Sequence, residues 1–446
     1  MTRLINSFVT AFERWMPDSF VVAIILSVLT FVLAITISGA SPGELIIAWG
    51  DGFWNLLSFT IQVVLTLLLG HTLAYTPPMQ RALKSVARTV HSARSAYLTV
   101  AFIACGTSLI SWALGLVASA VMARTVASVA HERNIPVHYP LLVACAYSGI
   151  VIWHQGLSAS IGLAIATPGH FLEDSIGIVR TSQTLFTSSS LLTALFILVT
   201  LPLLMSRLRP ADHACRPLPD FIESETQDTD KSIDIEFKAT PAARLENKRT
   251  LNVLFVAIGI IFLLIEFFER GKGLNLNLLN FIFLIAGVAL TRSPKHYLEL
   301  IVSAAKIVGP FLLQYPFYAG IAGMMNDSGL ARMVVDLFVQ ISTAQTLPIT
   351  SFFSGAILNL FVPSGGGQWV IQGPIAMQSA LELGADVPLT AMAVSFGDQW
   401  TNLIHPLLAI PVLAITGLQA RDIMGYCALA LLYTGPIFII SLLLTS

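Results

Sequence analysis

The sequence predicts an all-α, polytopic membrane protein built as an inverted-topology repeat, with two re-entrant hairpins and two broken transmembrane helices. Three observations predict it. Of 446 residues, 55% are hydrophobic and only 11% charged, with a mean hydropathy of +0.78, a balance that suits a chain bathed in lipid rather than water. Apolar runs of the roughly 20 residues that a helix needs to cross a bilayer recur from end to end. Four of these runs are interrupted by polar or glycine-rich stretches: Cys105 to Gly115, Tyr147 to Gly162, Asn359 to Trp369 and Ser395 to Pro406. At membrane depth, broken backbone is tolerated only where it is buried in protein or lines a wet cavity, because hydrocarbon offers no hydrogen-bond partners. The interruptions therefore mark candidate sites.

In chain order, the N-terminus carries Arg3 and Arg14 before an apolar run from Phe20 to Ile37, longer than the core of a signal peptide and read as a retained anchor. A second span runs from Phe53 to Tyr75. After Pro77 and Pro78, Arg81, Lys84 and Arg88 recur at helical spacing, as on an amphipathic helix at an anionic surface. The segment Ala96 to Val129 is long for one helix and short for two, so it is read as the first hairpin. A span from Tyr139 to Ala166, broken near its middle, follows, then a polar connection from Thr167 to Gln183 and a span from Thr184 to Met205. Ser206 to Thr250 is rich in Asp, Glu, Lys, Pro and Thr and poor in aromatics, the composition of a largely disordered linker. The second half has spans at Leu251 to Phe268, Leu276 to Leu290 and Leu298 to Met325, then an amphipathic piece from Gly329 to Ile341. A hairpin near Leu347 to Ala380, a broken span from Pro388 to Thr416 and a last span from Ile423 to Leu444 complete it. The division expected is thus an N-terminal half, 1–205, a cytoplasmic linker, 206–250, and a C-terminal half, 251–446.

With the N-terminus in the cytoplasm, 19 of the 24 Lys and Arg fall on the cytoplasmic side, as the positive-inside rule requires. Arg180, Arg270, Lys272 and Arg332 fall outside, and Lys306 within a span. The halves then have opposite orientation, and paired breaks in such halves point to a transporter's binding site. Cys105, Cys145, Cys215 and Cys427 show no CxxC spacing and read as reduced and structural. No basic tail suggests nucleic acid.

A broken helix offers free N–H groups and partial positive charge where its downstream half begins, and free carbonyls where its upstream half ends. The side chains around the breaks are mostly neutral, among them Ser108, Ser111, Ser148, Asn359, Ser364, Gln368, Thr401 and Asn402, and no Arg or Lys lies in any break. A small anion would then be held by dipoles, hydroxyls and amides, with Gly365 and Gly366 letting the backbone approach it, while a co-transported sodium ion or proton balances its charge. Asp398 is the one carboxylate in the breaks, and an ionised group at that depth costs about 2.5–3.5 kcal/mol unless it faces the interior, so it binds a cation, carries a proton or caps a helix. His154 and His405 lie in or beside breaks, and the free imidazole's pKa near 6.5 suits proton coupling; a hydrogen-bonded core role is the alternative. Trp112, Trp153, Trp369 and Trp400 occur once per break and suit either an apolar pocket wall or packing. Enzyme readings lack their motifs: no Gly-x-Gly-Asp with a Tyr-Asp pair for an intramembrane aspartyl protease, and no G-x-S-x-G elbow. A channel does not explain the repeated order of hairpin and broken span.

At NLFVPSGGGQWVIQGPIA (Asn359 to Ala376) and SFGDQWTNLIHPLLAIPVL (Ser395 to Leu413), with RWMPDSF (Arg14 to Phe20) and YSGIVIWHQGLSASIGL from Tyr147, the chain resembles the AtoE-type short-chain fatty acid transporters along its whole length. A looser resemblance extends to basic amino acid and C4-dicarboxylate carriers of the wider ion transporter superfamily. The resemblance implies a homodimer in a bacterial inner membrane that takes up acetoacetate or butyrate with a cation by an elevator motion. It implies a site carried onto Ser108, Gly149, Asn359, Ser364, Gly365, Gly397, Asp398, Thr401 and Asn402, with Ser108, Gly149, Asn359, Gly397, Asp398 and His405 as the residues nearest the coupled cation. TSLISWALG in the first hairpin departs from the Ser-Asn-Thr tip of the dicarboxylate carriers.

Overall fold

The computed structural model describes residues 19–211, 215–218, 240–306, 308–360 and 362–445. Arg3, Arg14, most of the RWMPDSF stretch, Phe361 and residues 219–239 of the linker lie outside the described residues. The described residues are helical with no strand, as the apolar runs predict. Among the described residues, seven helices, counting Tyr139–Ala164 as one and the last turn to Glu269 with its helix, are long and apolar enough to cross a membrane, and shorter apolar helices include Leu276–Leu290 and Leu347–Asn359.

The first half runs α1 (Ser19–Ser38), α2 (Pro42–Gly52), α3 (Leu57–Ala74), α4 (Pro77–Ala87), α5 (Ala93–Ile110), α6 (Trp112–Glu132), α7 (Tyr139–Ser148), a 3₁₀ segment Gly149–Gln155, α8 (Ser160–Ala164), α9 (Glu173–Ile176) and α10 (Ser188–Arg207). The second runs α11 (Pro241–Glu246), α12 (Arg249–Leu264, with a π turn to Glu269), α13 (Leu276–Leu290), α14 (Pro294–Ala305), α15 (Gly309–Asp327), α16 (Leu330–Ile341), α17 (Leu347–Asn359), α18 (Gly365–Leu383), α19 (Val387–Asn402), α20 (Pro406–Thr416) and α21 (Ala420–Leu443).

Each segment expected to form a hairpin is a pair of adjacent helices. In the first, α5 and α6 turn at Ser111 alone, whose extended backbone ends one helix and whose hydroxyl caps the next by accepting from Leu114 N–H. The two arms return side by side, since Arg133 past the end of α6 donates to the Val90 carbonyl before α5 at 2.5 Å. At about 1.5 Å per residue, arms of 18 and 21 residues are about 27 and 32 Å long. They are therefore longer than the part-depth arms expected from the sequence. In the second hairpin Gln368 and Gln372 of α18 donate to the Gly355 and Ser351 carbonyls of α17, tying the arms antiparallel.

Four expectations are corrected. The sequence predicts an unwound stretch from Ser395 to Pro406, yet α19 is helical through Asn402 and the break is confined to Leu403–His405. Gly397 serves close approach rather than backbone freedom, because a Cβ there would collide with the Phe352 carbonyl of α17. Similarly, Gly365, Gly366 and Gly367 do not form the turn of the second hairpin but the first turn of α18, capped by Ser364, and none has a positive φ. The span expected from Leu298 to Met325 is two helices, α14 and α15, and Lys306 is exposed at their junction rather than mid-span. Parts of the expected disordered linker are ordered: α11 forms, and residues 215–218 dock on the start of α7, where Arg216 N–H donates to His138 Nδ1 at 3.0 Å and Tyr139 N–H to the Arg216 carbonyl at 2.8 Å.

The halves repeat one contact. In the first, the helix of the broken span meets hairpin arm α5 where a Cβ on Gly149 would strike Ala104. In the second, Gly397 meets Phe352 of α17 in the same way. Each pair is 45 positions apart, which places hairpin and broken helix in equivalent relation in both halves. Small residues allow this approach of backbones, the usual device where lipid supplies no hydrophobic drive between helices. The same device joins the halves at Gly320 and Gly323 of α15, which lie against Trp49 and Ala48 of α2.

Candidate functional site

The two breaks meet in the interior. His154, in the 3₁₀ segment of the first half, places Nε2 2.9 Å from Oδ2 of Asp398 on α19, with both side chains fully buried. The His154 backbone N–H donates to Gln399 Oε1 at 2.9 Å, Gln399 Nε2 to Gln155 Oε1 at 3.4 Å, and Gln155 Nε2 to the Ser190 carbonyl at 2.9 Å. Asp398 Oδ1 and His154 Nδ1 are buried and make no hydrogen bond. A buried carboxylate is costly unless it is paired and hydrogen-bonded, and His154 Nε2 is the partner the fold brings to it. The sequence presents these residues as separate candidates 244 positions apart; the fold makes them one unit.

Asn359, the last residue of α17, ties hairpin tip to broken helix. Its amide nitrogen lies 3.0 Å from the Asp398 carbonyl and 3.0 Å from Thr401 Oγ1, whose own hydroxyl donates to the Ala356 carbonyl at 3.0 Å. Asn402 completes the cluster: with its oxygen toward Trp153 Nε1 (3.2 Å), its nitrogen reaches Asn359 Oδ1 at 3.1 Å. Tyr147 of α7 closes the cluster from the other half, its hydroxyl 2.5 Å from the Asn402 carbonyl and 3.1 Å from that of His405.

Beside the His154–Asp398 pair, α18 begins. Ser364 Oγ is 2.9 Å from the Tyr315 hydroxyl and accepts from Gly367 N–H at 3.4 Å. A Cβ on Gly365 would sit 2.5 Å from His154 Nε2, and one on Gly366 2.5 Å from the Tyr315 hydroxyl. Only glycine brings this helix terminus so close to both groups. The terminus opens on a cavity of about 30 Å³ lined by Ser364, Gly365, Asn402, Tyr315, Trp112 and Trp153, with Val63, Ile150 and Leu408 as apolar wall. A helix N-terminus with a hydroxyl cap attracts anions, and the indole rings, 6.1 Å apart, offer apolar surface. The arrangement joins an anion-binding end, an apolar wall and an adjacent protonatable pair.

The other expected residues lie elsewhere. Ser108 packs against Gly115 inside the first hairpin, Ser111 caps α6, and Ser148 bonds back to the Cys145 carbonyl. Gly149 and Gly397 are packing contacts, and Gln368 braces the second hairpin. His405 is buried where α20 begins. Trp400 donates to the Leu431 carbonyl and stacks on Phe352, away from the cavity. Neither Tyr147 nor Tyr315 is among the site residues expected from the sequence: Tyr147 opens the flagged interruption but sits at its apolar edge, and Tyr315 lies in an apolar helix with no break to flag it. Pro316 beside Tyr315 was the available signal.

The short chain fatty acid transporter family model matches residues 1–445. A protein of Escherichia coli described as "Putative short-chain fatty acid transporter" is 39% identical over 442 residues, covering 99% of both chains. A protein of Haemophilus influenzae with the same description is 36% identical over 450 residues, again covering 99% of both. In fold, the chain is similar to the crystal structure of the YdaH transporter of Alcanivorax borkumensis, with a TM-score of 0.58 at 16% identity over 96% of this chain and 97% of that one. A multi-pass helical chain whose two breaks converge on a small anion-attracting cavity, matched from end to end, belongs to the short-chain fatty acid transporter family.

Proposed function

We propose that the protein is a secondary carrier that takes up short-chain carboxylates, acetoacetate and butyrate among them, across a bacterial inner membrane in symport with a cation. The observation that carries this reading is the junction of the α18 N-terminus with the His154–Asp398 pair; on this reading Ser364, Gly365 and the Tyr315 hydroxyl would face the carboxylate, and Trp112, Trp153, Ile150 and Val63 would take the acyl chain. The cavity holds about one or two waters, so the hairpin tip at Asn359–Ser364 must withdraw to admit a four-carbon acid. That withdrawal, with the hairpins entering from opposite sides and the halves inverted, is the local part of an elevator motion in a homodimer whose N-terminus is cytoplasmic.

A basic amino acid is the less favoured substrate, because the cavity lining contains no carboxylate. Uptake of labelled butyrate and acetoacetate into proteoliposomes under imposed sodium or proton gradients tests the reading. Saturable uptake driven by one of the gradients is expected; indifference to both, or preference for lysine, overturns it.

A further inference from the structure

We propose that His154 and Asp398 carry one proton between them, so that the coupling cation is H⁺ and transport is electroneutral, with the proton delivered from a polar vestibule beside Ser190. The inference rests on the carboxylate reading above. The oxygens that would suit a sodium ion at the hairpin tip, the Asp398 carbonyl and Thr401 Oγ1, are already met by the Asn359 amide nitrogen at 3.0 Å each. The Asp398 carboxylate is met instead by an imidazole, a proton carrier rather than a sodium ligand. Among the described residues no Lys or Arg forms an ion pair with Asp398. Titratable groups on the elements around the pair include Cys105 of α5, Cys145 and Tyr147 of α7, Tyr315 and Tyr318 of α15, Cys427 of α21 and His405 at the start of α20. Of these, only His405 titrates near neutral pH in its free form.

The charge bookkeeping follows. With one proton, on Nε2 or on the carboxylate, the pair is neutral; without it the pair carries −1. An anion arriving at Ser364–Gly365, beside His154 Nε2, is repelled by the deprotonated pair and accepted by the protonated one. Loaded with one proton and one carboxylate, the site carries −1, and empty and deprotonated it again carries −1. The mobile unit therefore bears the same charge in both crossings. The proton binds from water on one side and is released to water with the anion on the other.

The vestibule supplies the route. A cavity of about 170 Å³, lined by Gln183, Thr187, Ser190, Asp386, Met392 and Phe396, opens between the starts of α10 and α19. Its floor is Ser190, whose buried hydroxyl makes no hydrogen bond and whose carbonyl receives Gln155. From there Gln155 and Gln399 lead to the backbone of His154. The two amides lie between the vestibule and the pair, and since neutral amides do not themselves pass a proton, the proton reaches the pair with water when they part.

The experiment uses the full chain in proteoliposomes loaded with a pH-sensitive dye, and protein-free liposomes serve as the blank for diffusion of the neutral acid. Counterflow of labelled butyrate at symmetrical pH tests the carboxylate reading alone, and its absence overturns that reading without touching ion choice. Given counterflow, an inward proton gradient is expected to accelerate uptake at least tenfold, with one proton entering per butyrate and no response to an imposed membrane potential. Asp398→Asn is expected to lose at least ten-fold of gradient-driven uptake while counterflow remains measurable, and Gln155→Leu to slow proton-driven uptake several-fold. Counterflow with uptake driven by a sodium gradient at fixed pH, or proton-driven uptake persisting in Asp398→Asn, overturns the inference.

Discussion

At the scale of single residues, the site depends on atoms that are missing as much as on those present. Gly365 has no Cβ, and adding one would place carbon 2.5 Å from His154 Nε2 and 3.0 Å from the Trp153 ring. Both neighbours are buried and held, His154 by Asp398 and Trp153 by Asn402, so neither yields cheaply. Gly365→Ala is expected to fold, because alanine favours the helix by about 1 kcal/mol over glycine, yet to lose at least tenfold in butyrate uptake, as measured against yield and thermal stability in detergent. Asn359 is the converse case. Its amide donates into the Asp398 carbonyl and Thr401, and removal leaves buried acceptors unpaired at about 1–3 kcal/mol. Asn359→Asp is expected to be worse than Asn359→Ala, because a carboxylate would face those same oxygens with no proton to give. A thermal-shift comparison in which the aspartate variant proved milder than the alanine variant would remove the donor role.

At the scale of elements, much was legible, and the misreadings share one cause. Apolar length marked nearly every helix, and Leu276–Leu290 matches to the residue. Polar interruptions marked both hairpins and the first broken span. The glycines of the second hairpin read as a break that lets the backbone approach an anion, whereas Gly365–Gly367, like Gly397, are helical and small because another chain segment touches them. Local sequence reports conformation, but the reason for a small residue lies in a contact made 45 or 200 positions away. The docking of residues 215–218 was equally invisible, since the segment looks solvated and its partners, His138 and Asp422, come from different halves. That contact is pH-sensitive. Burial pushes His138 down to about 4, with Arg216 acting in the same direction and Asp422 opposing. Its neutral ring accepts the Arg216 N–H. A histidine whose folded value lies below its free value of about 6.5 binds more protons when released, so the docked state gains stability as pH rises from 4 to 6.5 and loses it as pH falls through that window. The loss reaches at most about 3 kcal/mol. Hydrogen exchange at residues 215–218, corrected for intrinsic rates, is expected to be slow at pH 7.5 and to accelerate at pH 5, and His138→Phe to be fast at both.

At the scale of the whole molecule, the halves are interlocked rather than adjoined. His154 meets Asp398 and Gln399, Tyr147 reaches Asn402 and His405, and Thr66 of α3 donates to Asn280 of α13 at 2.8 Å. Arg124 of α6 donates to the Ile415 carbonyl of α20, and Thr193 of α10 to Ser441 of α21 at 2.7 Å. Each half alone would bury one member of every pair against lipid, where an unpaired polar group costs several kcal/mol, and Asp398 without His154 would be a lone carboxylate in the same medium. Neither half is therefore expected to accumulate by itself. The contacts that join the halves are made between described helices on either side of residues 219–239, between Leu218 and Thr240. Cutting there should leave the interface whole. Fragments 1–228 and 229–446, each with its own tag, are expected to be degraded when expressed singly and to co-purify at near one-to-one ratio with butyrate counterflow when expressed together. A C-terminal fragment that is stable and monomeric on its own would show the halves to be separable domains. The Asp398→Asn change provides the internal control: by removing the lone charge it is expected to raise the yield of the isolated C-terminal fragment, even as it lowers coupled uptake in the intact chain.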